Sequence, residues 1–118
     1  MTGLTFSKTD RLSNQAEYQY VFANARRFGN HNFTLLVRIN DLQSPRLGLA
    51  ISKKNVKLAK NRNRIKRLIR ESFRHNKADL PPIDIIAMCR TSAVELSSQE
   101  IRAQLETQWR YIRKKIQG

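Results

Sequence analysis

The sequence predicts a single α+β domain, helices packed against a small sheet, in the order α-β-β-α-β-α. Three observations carry the prediction. Apolar residues alternate at strand spacing in two runs, and a third run is almost continuously apolar. Three other stretches place apolar residues at helical spacing. No repeat, low-complexity tract or linker interrupts the 118 residues, a length suited to one domain spanning 1–118.

The first helix is announced by Asn14 with Glu17 three residues on, a capping pair. Tyr18, Val21, Phe22 and Ala25 follow at helical spacing, and Gly29 reads as its stop. Residues 33–39 carry Phe33, Leu35, Val37 and Ile39 at every second place, a half-buried strand. Asp41 to Pro45 is turn chemistry, and residues 47–51 alternate again, so the two runs are expected to form an antiparallel hairpin. Residues 60–74 read KNRNRIKRLIRESFR. At 100° per residue Ile65, Leu68, Ile69 and Phe73 make one stripe, flanked by Arg62 and Lys66, with Lys60, Asn63, Arg67, Arg70 and Arg74 opposite. Pro81 and Pro82 close the next connection, and Ile83 to Cys89 reads as a buried strand. Ser97-Ser98-Gln99-Glu100 is a capping-box signature. It opens a last helix with Ile101, Leu105, Trp109, Ile112 and Ile116 on one face, Trp109 being assigned to the core.

Charge narrows the class of partner. Lys and Arg number 23 against 9 acids, a net charge of +14. Such an excess repels itself in the compact state and points to a polyanion, nucleic acid first. Ten basic residues and one acid, Glu71, lie between Lys53 and Arg74, so nine of the fourteen net charges sit there. A solvated helix face normally mixes signs. An all-cationic ridge rich in Arg suits phosphate instead. No glycine-rich phosphate loop accompanies it, and a strand rather than a partner helix precedes it, which disfavours a helix-turn-helix and DNA. No apolar run reaches the length of a membrane span. Met1 to Asp10 lacks a signal-peptide layout, so a cytoplasmic protein is expected.

Catalytic chemistry in the chain itself has little support. His31 and His75 stand alone, and Asp79, Asp84, Glu95 and Glu100 are scattered, unlike the clustered carboxylates of a metal nuclease. Cys89, the single cysteine, reads as a small buried hydrophobe and excludes an intrachain disulfide.

Ser52-Lys53-Lys54, Ala59, Arg62-Asn63-Arg64-Ile65-Lys66-Arg67, Arg70-Glu71 and Phe73-Arg74 together resemble the signature of the protein subunit of bacterial ribonuclease P. The resemblance extends to Arg11-Leu12, the Tyr18/Phe22 helix, Arg46-Leu47-Gly48-Leu49 and Arg90, nearly the whole chain. It implies a three-layer α/β sandwich with a left-handed β-α-β crossover, against the usual handedness. It further implies partnership with a catalytic RNA that holds the Mg2+ ions, and removal of the 5′ leader from precursor tRNA. Carried onto this chain, RNA-subunit contacts fall to Lys54, Lys57, Arg62, Asn63, Arg64, Lys66, Arg67 and Arg70. The leader would lie in a cleft between the first helix and the sheet, on Tyr18, Phe22 and Phe33, with Lys53 and Arg90 at its edges. A structural RNA binder such as a ribosomal protein would share the charge and size but has no need of such a cleft. A DNA regulator and a protein-only nuclease fit the residues less well.

Overall fold

The computed structural model describes residues 8–117, the side chains of Lys8 and Gln117 excepted, and Met1–Ser7, most of the segment without a signal-peptide layout, lie outside them. Its regular elements are α1 (Gln15–Ala23), β1 (Arg26–Gly29), β2 (Phe33–Ile39), β3 (Arg46–Leu49), α2 (Ala59–Asn76), β4 (Ile83–Cys89) and α3 (Ser98–Gln117). Short 3-10 turns at Lys8–Asp10, Lys77–Asp79 and Thr91–Glu95 join them.

Both predicted caps form. The Asn14 side chain accepts from the Glu17 N–H at 2.9 Å while Glu17 Oε1 accepts from the Ser13 N–H at 2.6 Å. Ser97 Oγ and Glu100 make the reciprocal pair at 3.0 and 2.8 Å. Each satisfies helix N–H groups that have no partner inside the helix.

The sheet runs β1-β2-β4-β3, with β1–β2 and β2–β4 antiparallel and β3–β4 parallel. The expected hairpin between 33–39 and 47–51 is therefore not present: β4 lies between them, pairing Val37 with Ile85 on one side and Leu47 with Ile85 on the other. The reason is burial. β4 is apolar towards both faces through Ile83, Ile85, Ile86 and Ala87, all fully buried, which suits a central strand. Asn40 diverts the chain after β2. Its backbone N–H donates to Pro82 O and its side-chain amide to Asp84 Oδ1, across the start of β4. Strand β1 is a second departure. Residues 26–29 show one apolar side chain, Phe28, and were expected to lie at the end of the first helix, which stops at Ala23. Pairing with β2, from Arg26 opposite Val37 to Gly29 opposite Thr34, makes the strand.

Alternation along the strands gives the sheet two dressed faces. Leu35, Val37, Leu47, Ile83, Ile85, Ala87 and Cys89 pack under α2 and α3 with Ile65, Leu68, Ile69, Phe73, Ile101, Leu105, Trp109 and Ile112. Trp109, buried as expected, donates its Nε1–H to Ser72 Oγ of α2 at 2.7 Å and meets Phe73 edge-on. On the other face Val21 and Tyr18 of α1, with Leu12 from the segment before it, cover Ile86 against a floor of Leu36, Ala50 and Met88. Three layers result.

Burial pushes the Cys89 thiol up to about 11. Almost none of it is thiolate at neutral pH, so alkylation should be negligible in the native protein and complete once it is unfolded. Rapid native labelling would place Cys89 outside the core.

Candidate nucleic-acid interface

Only one residue of α1, Val21, is fully buried, so apolar packing alone gives this helix a weak hold. Polar contacts do the rest. Arg46 of β3 forks onto buried Asp84 of β4 (Nε–Oδ1 2.9 Å, Nη2–Oδ2 2.8 Å) and sends its third nitrogen to Glu17 of α1 at 2.8 Å. Planar two-point pairing of this kind is the strong form of the interaction. Tyr18 accepts from the Leu49 N–H at 3.0 Å, and its ring lies against Gly48, where an added Cβ would come within 2.8 Å of it. Tyr20 donates to Ile39 O, and the Arg38 guanidinium stacks 3.7 Å above its ring.

These contacts leave Phe22 as the free aromatic of α1, 50% exposed. It sits four residues after Tyr18, one turn along the same side of the helix. Beside them on the same sheet face lie Leu36, Ala50 and Met88, each partly exposed. The turn holding Lys53 and Lys54 is pinned to the end of β4 by Asn55, whose amide donates to Cys89 O at 3.1 Å. Exposed Lys53 and exposed Arg90 thereby flank the same end of the sheet.

Phe33 does not belong to this cleft. It is fully buried on the opposite face with Leu35 and Val37, under α3 and α2. Strand alternation separates the faces: Thr34, Leu36 and Arg38 turn towards α1, and Phe33 turns away. In place of Phe33 the α1 face offers Leu36, one of the even-numbered positions that alternation sets apart from Phe33 without telling which set α1 will cover.

Helix α2 buries the predicted stripe, Ile65, Leu68, Ile69 and Phe73, and exposes Asn63 and Arg67. Lys66 and Arg70 are half-buried at its flanks, while Lys54 and Lys57 are exposed before its first turn. That turn contains no acid and no side-chain cap, so its free N–H groups and dipole add to the positive field. The two arginines of the Arg-Asn-Arg triplet are engaged by the fold itself. Arg62 donates to Val56 O and Lys57 O at 2.8 and 2.9 Å, and Arg64 donates to Leu96 O and Ser98 Oγ at 3.1 and 3.2 Å, bracing α2 against the start of α3. Arg70 shares a groove of about 210 Å³ with Arg11 and Tyr18 around the β3 edge, which joins the basic ridge to the aromatic cleft. Sequence spacing did not show that junction, because Arg11 and Arg70 meet only through the sheet edge. Among the described residues no three of His, Cys, Asp and Glu gather as a metal site would need, and no helix is long and apolar enough to cross a membrane.

The chain is similar to known proteins along most of its length. The ribonuclease P family profile, "Ribonuclease P", matches residues 6–113. The chain is 47% identical to the ribonuclease P protein component of Thioalkalivibrio sulfidiphilus over 104 residues, 88% of this chain and 87% of that one. It is 42% identical to the Photobacterium profundum protein component over 118 residues, the full length of both. Among solved structures, the Staphylococcus aureus RNase P protein superposes with a TM-score of 0.82 at 30% identity, covering 88% of this chain and 95% of that one. The Thermotoga maritima RNase P protein, solved with a thiourea compound, gives 0.79 at 30% identity, covering 86% and 99%.

Proposed function

The chain belongs to the ribonuclease P protein family, a subunit of that endoribonuclease and a partner of its RNA, and on that premise we propose how its two surfaces divide the work of tRNA 5′ processing. The exposed ridge of α2 binds the RNA subunit, and the cleft beside α1 holds the single-stranded 5′ leader of precursor tRNA. One observation supports this reading above the others: an exposed aromatic, Phe22, lies on the helix that covers the partly exposed apolar face of Leu36, Ala50 and Met88, with exposed Lys53 and Arg90 near the end of that face and no acid among these residues. Base faces stack on such a platform whatever the base, while cations track the phosphates, as a partner with variable leaders requires.

Catalysis is assigned to the RNA. The described residues gather no group of three His, Cys, Asp or Glu that would fit a magnesium site, and we assign the Mg2+ ions of the reaction mainly to the RNA. On the α2 ridge, the side chains of Arg67 and Asn63, exposed and without a hydrogen bond among the described residues, meet the RNA directly. Arg62 and Arg64 hold the ridge in place, and their remaining N–H groups complete the contact. Lys54, Lys57, Lys66 and Arg70 extend the same field, in a cytoplasmic ribonucleoprotein.

Arg67→Ala should weaken binding to the RNA subunit and flatten its salt dependence by about 0.9 in the log–log slope, one phosphate's share, with stability unchanged. A slope equal to that of the parent protein would remove Arg67 from the interface. The protein without RNA should leave precursor tRNA uncut in magnesium, and robust cleavage there would overturn the division of labour.

A further inference from the structure

The edge strand β1 carries a feature that the cleft beside α1 does not account for. A groove of about 410 Å³ wraps around this edge, lined by Arg27, Phe28, Gly29, Thr34, Arg90 and Tyr111 among others. Thr34 and Arg90 lie towards the α1 face; Phe28 and Tyr111 of α3 lie towards the other, so the groove passes from one face of the sheet to the next. Its charge is uncompensated: neither Arg27 nor Arg90 forms an ion pair among the described residues, and no acid lines it.

Its aromatic wall is built rather than incidental. Tyr111 stands edge-on to Phe28 at 5.7 Å, with 49% of its surface exposed. Arg26 lies 5.4 Å over the Phe28 ring and Lys115 lies 5.6 Å over the Tyr111 ring. Phe28 is held in the core, so the Tyr111 ring is backed by a rigid neighbour, and about half of the Tyr111 surface stays exposed with only the Lys115 side chain lying over the ring. Gly29 lets β1 close against β2 at this edge. Its φ of +136° disfavours any other residue, and a Cβ there would meet Phe33 O at 2.2 Å.

We propose that this groove receives the part of the leader that has already crossed the α1 cleft, with Arg27 on a phosphate and Tyr111 stacked on a base. The inference rests on the leader reading above and extends it to a second segment of the same single strand. Two properties favour that occupant. Cations beside a half-exposed aromatic match single-stranded nucleic acid, and the groove shares Arg90 with the end of the sheet that the cleft occupies.

The test compares holoenzymes reconstituted with the RNA subunit on precursor tRNAs whose leaders are about 4 and about 12 nucleotides long, lengths that bracket what one small fold covers. The parent enzyme should bind the longer leader more tightly. Tyr111→Leu should lose that gain by roughly fivefold or more, the lower end of one stacked base, and Tyr111→Phe should keep it. Arg27→Gln should lower the salt slope by about 0.7 on the long leader only, one phosphate of a single strand. Both variants should match the parent on the short leader. Equal affinity of parent, Tyr111→Leu and Arg27→Gln on the long leader would overturn the proposal, as would equal losses on both leaders. Phe22→Ala separates the two readings. If it weakens the short leader while Tyr111→Leu and Arg27→Gln change nothing, this extension alone fails; if Phe22→Ala also changes nothing, the leader cleft itself fails.

Discussion

Arg46→Met should lower folding stability by about 3–5 kcal/mol, the cost of leaving a buried charge without its partner. Asp84 is fully buried and would keep only the Asn40 amide among its described partners. The expected fall in Tm exceeds about 10 °C for a domain of this size. Glu17 loses its ion pair in the same step, so α1 should loosen as well. Arg46→Met combined with Asp84→Leu should recover most of the loss, because exchanging the whole pair for apolar groups removes the unpaired charge. A single variant within about 1 kcal/mol of the parent would show that this network does not hold the fold. Acid should act on its exposed end. The Glu17 carboxyl is held below its ordinary 4.5, first by the Ser13 N–H and then by Arg46. A lowered folded value means its contribution is complete above 4.5 and is lost as the pH falls through the folded value. Denaturant midpoints should therefore separate parent from Glu17→Gln at neutral pH and converge in acid.

Phe22→Ala should reduce affinity for precursor tRNA by about 1–3 kcal/mol, roughly 5- to 150-fold, and leave mature tRNA untouched. Phe22 is half-exposed and buries little, so its removal should move stability by no more than about 0.5 kcal/mol. Binding measured on precursor and mature tRNA with the same holoenzyme is the check. Equal losses on both would move Phe22 out of the leader path. Tyr18 offers a contrast: its hydroxyl is bound to the Leu49 N–H and its ring is seated on Gly48, so Tyr18→Ala mixes lost packing with lost stacking. Phe22 is the cleaner probe.

The sequence is legible where a short range of residues decides the outcome. Both capping pairs, the stripe of α2 and the strands at residues 33–39 and 83–89 follow from spacing over a few turns or pleats. Where a partner distant in sequence decides, spacing failed. Residues 26–29 become a strand only because β2 offers them an edge. The hairpin expected from two alternating runs was displaced by β4, whose two apolar faces claim the middle of the sheet. Arg62 and Arg64 look like free cations in the sequence; the carbonyls they bind lie in the loop before α2 and at the start of α3.

The order of residues is enough to show that nine of fourteen net charges gather between Lys53 and Arg74, around an apolar stripe at helical spacing, and that the chain carries its family's signature. Tertiary structure alone decided which aromatics remain free for a ligand. Alternation divides a strand into two faces but does not say which face a helix will cover, so Phe33 and Leu36 were indistinguishable until α2 and α3 settled on one side and α1 on the other. Packing then buried Phe33 completely and left Phe22 and Tyr111 half in water.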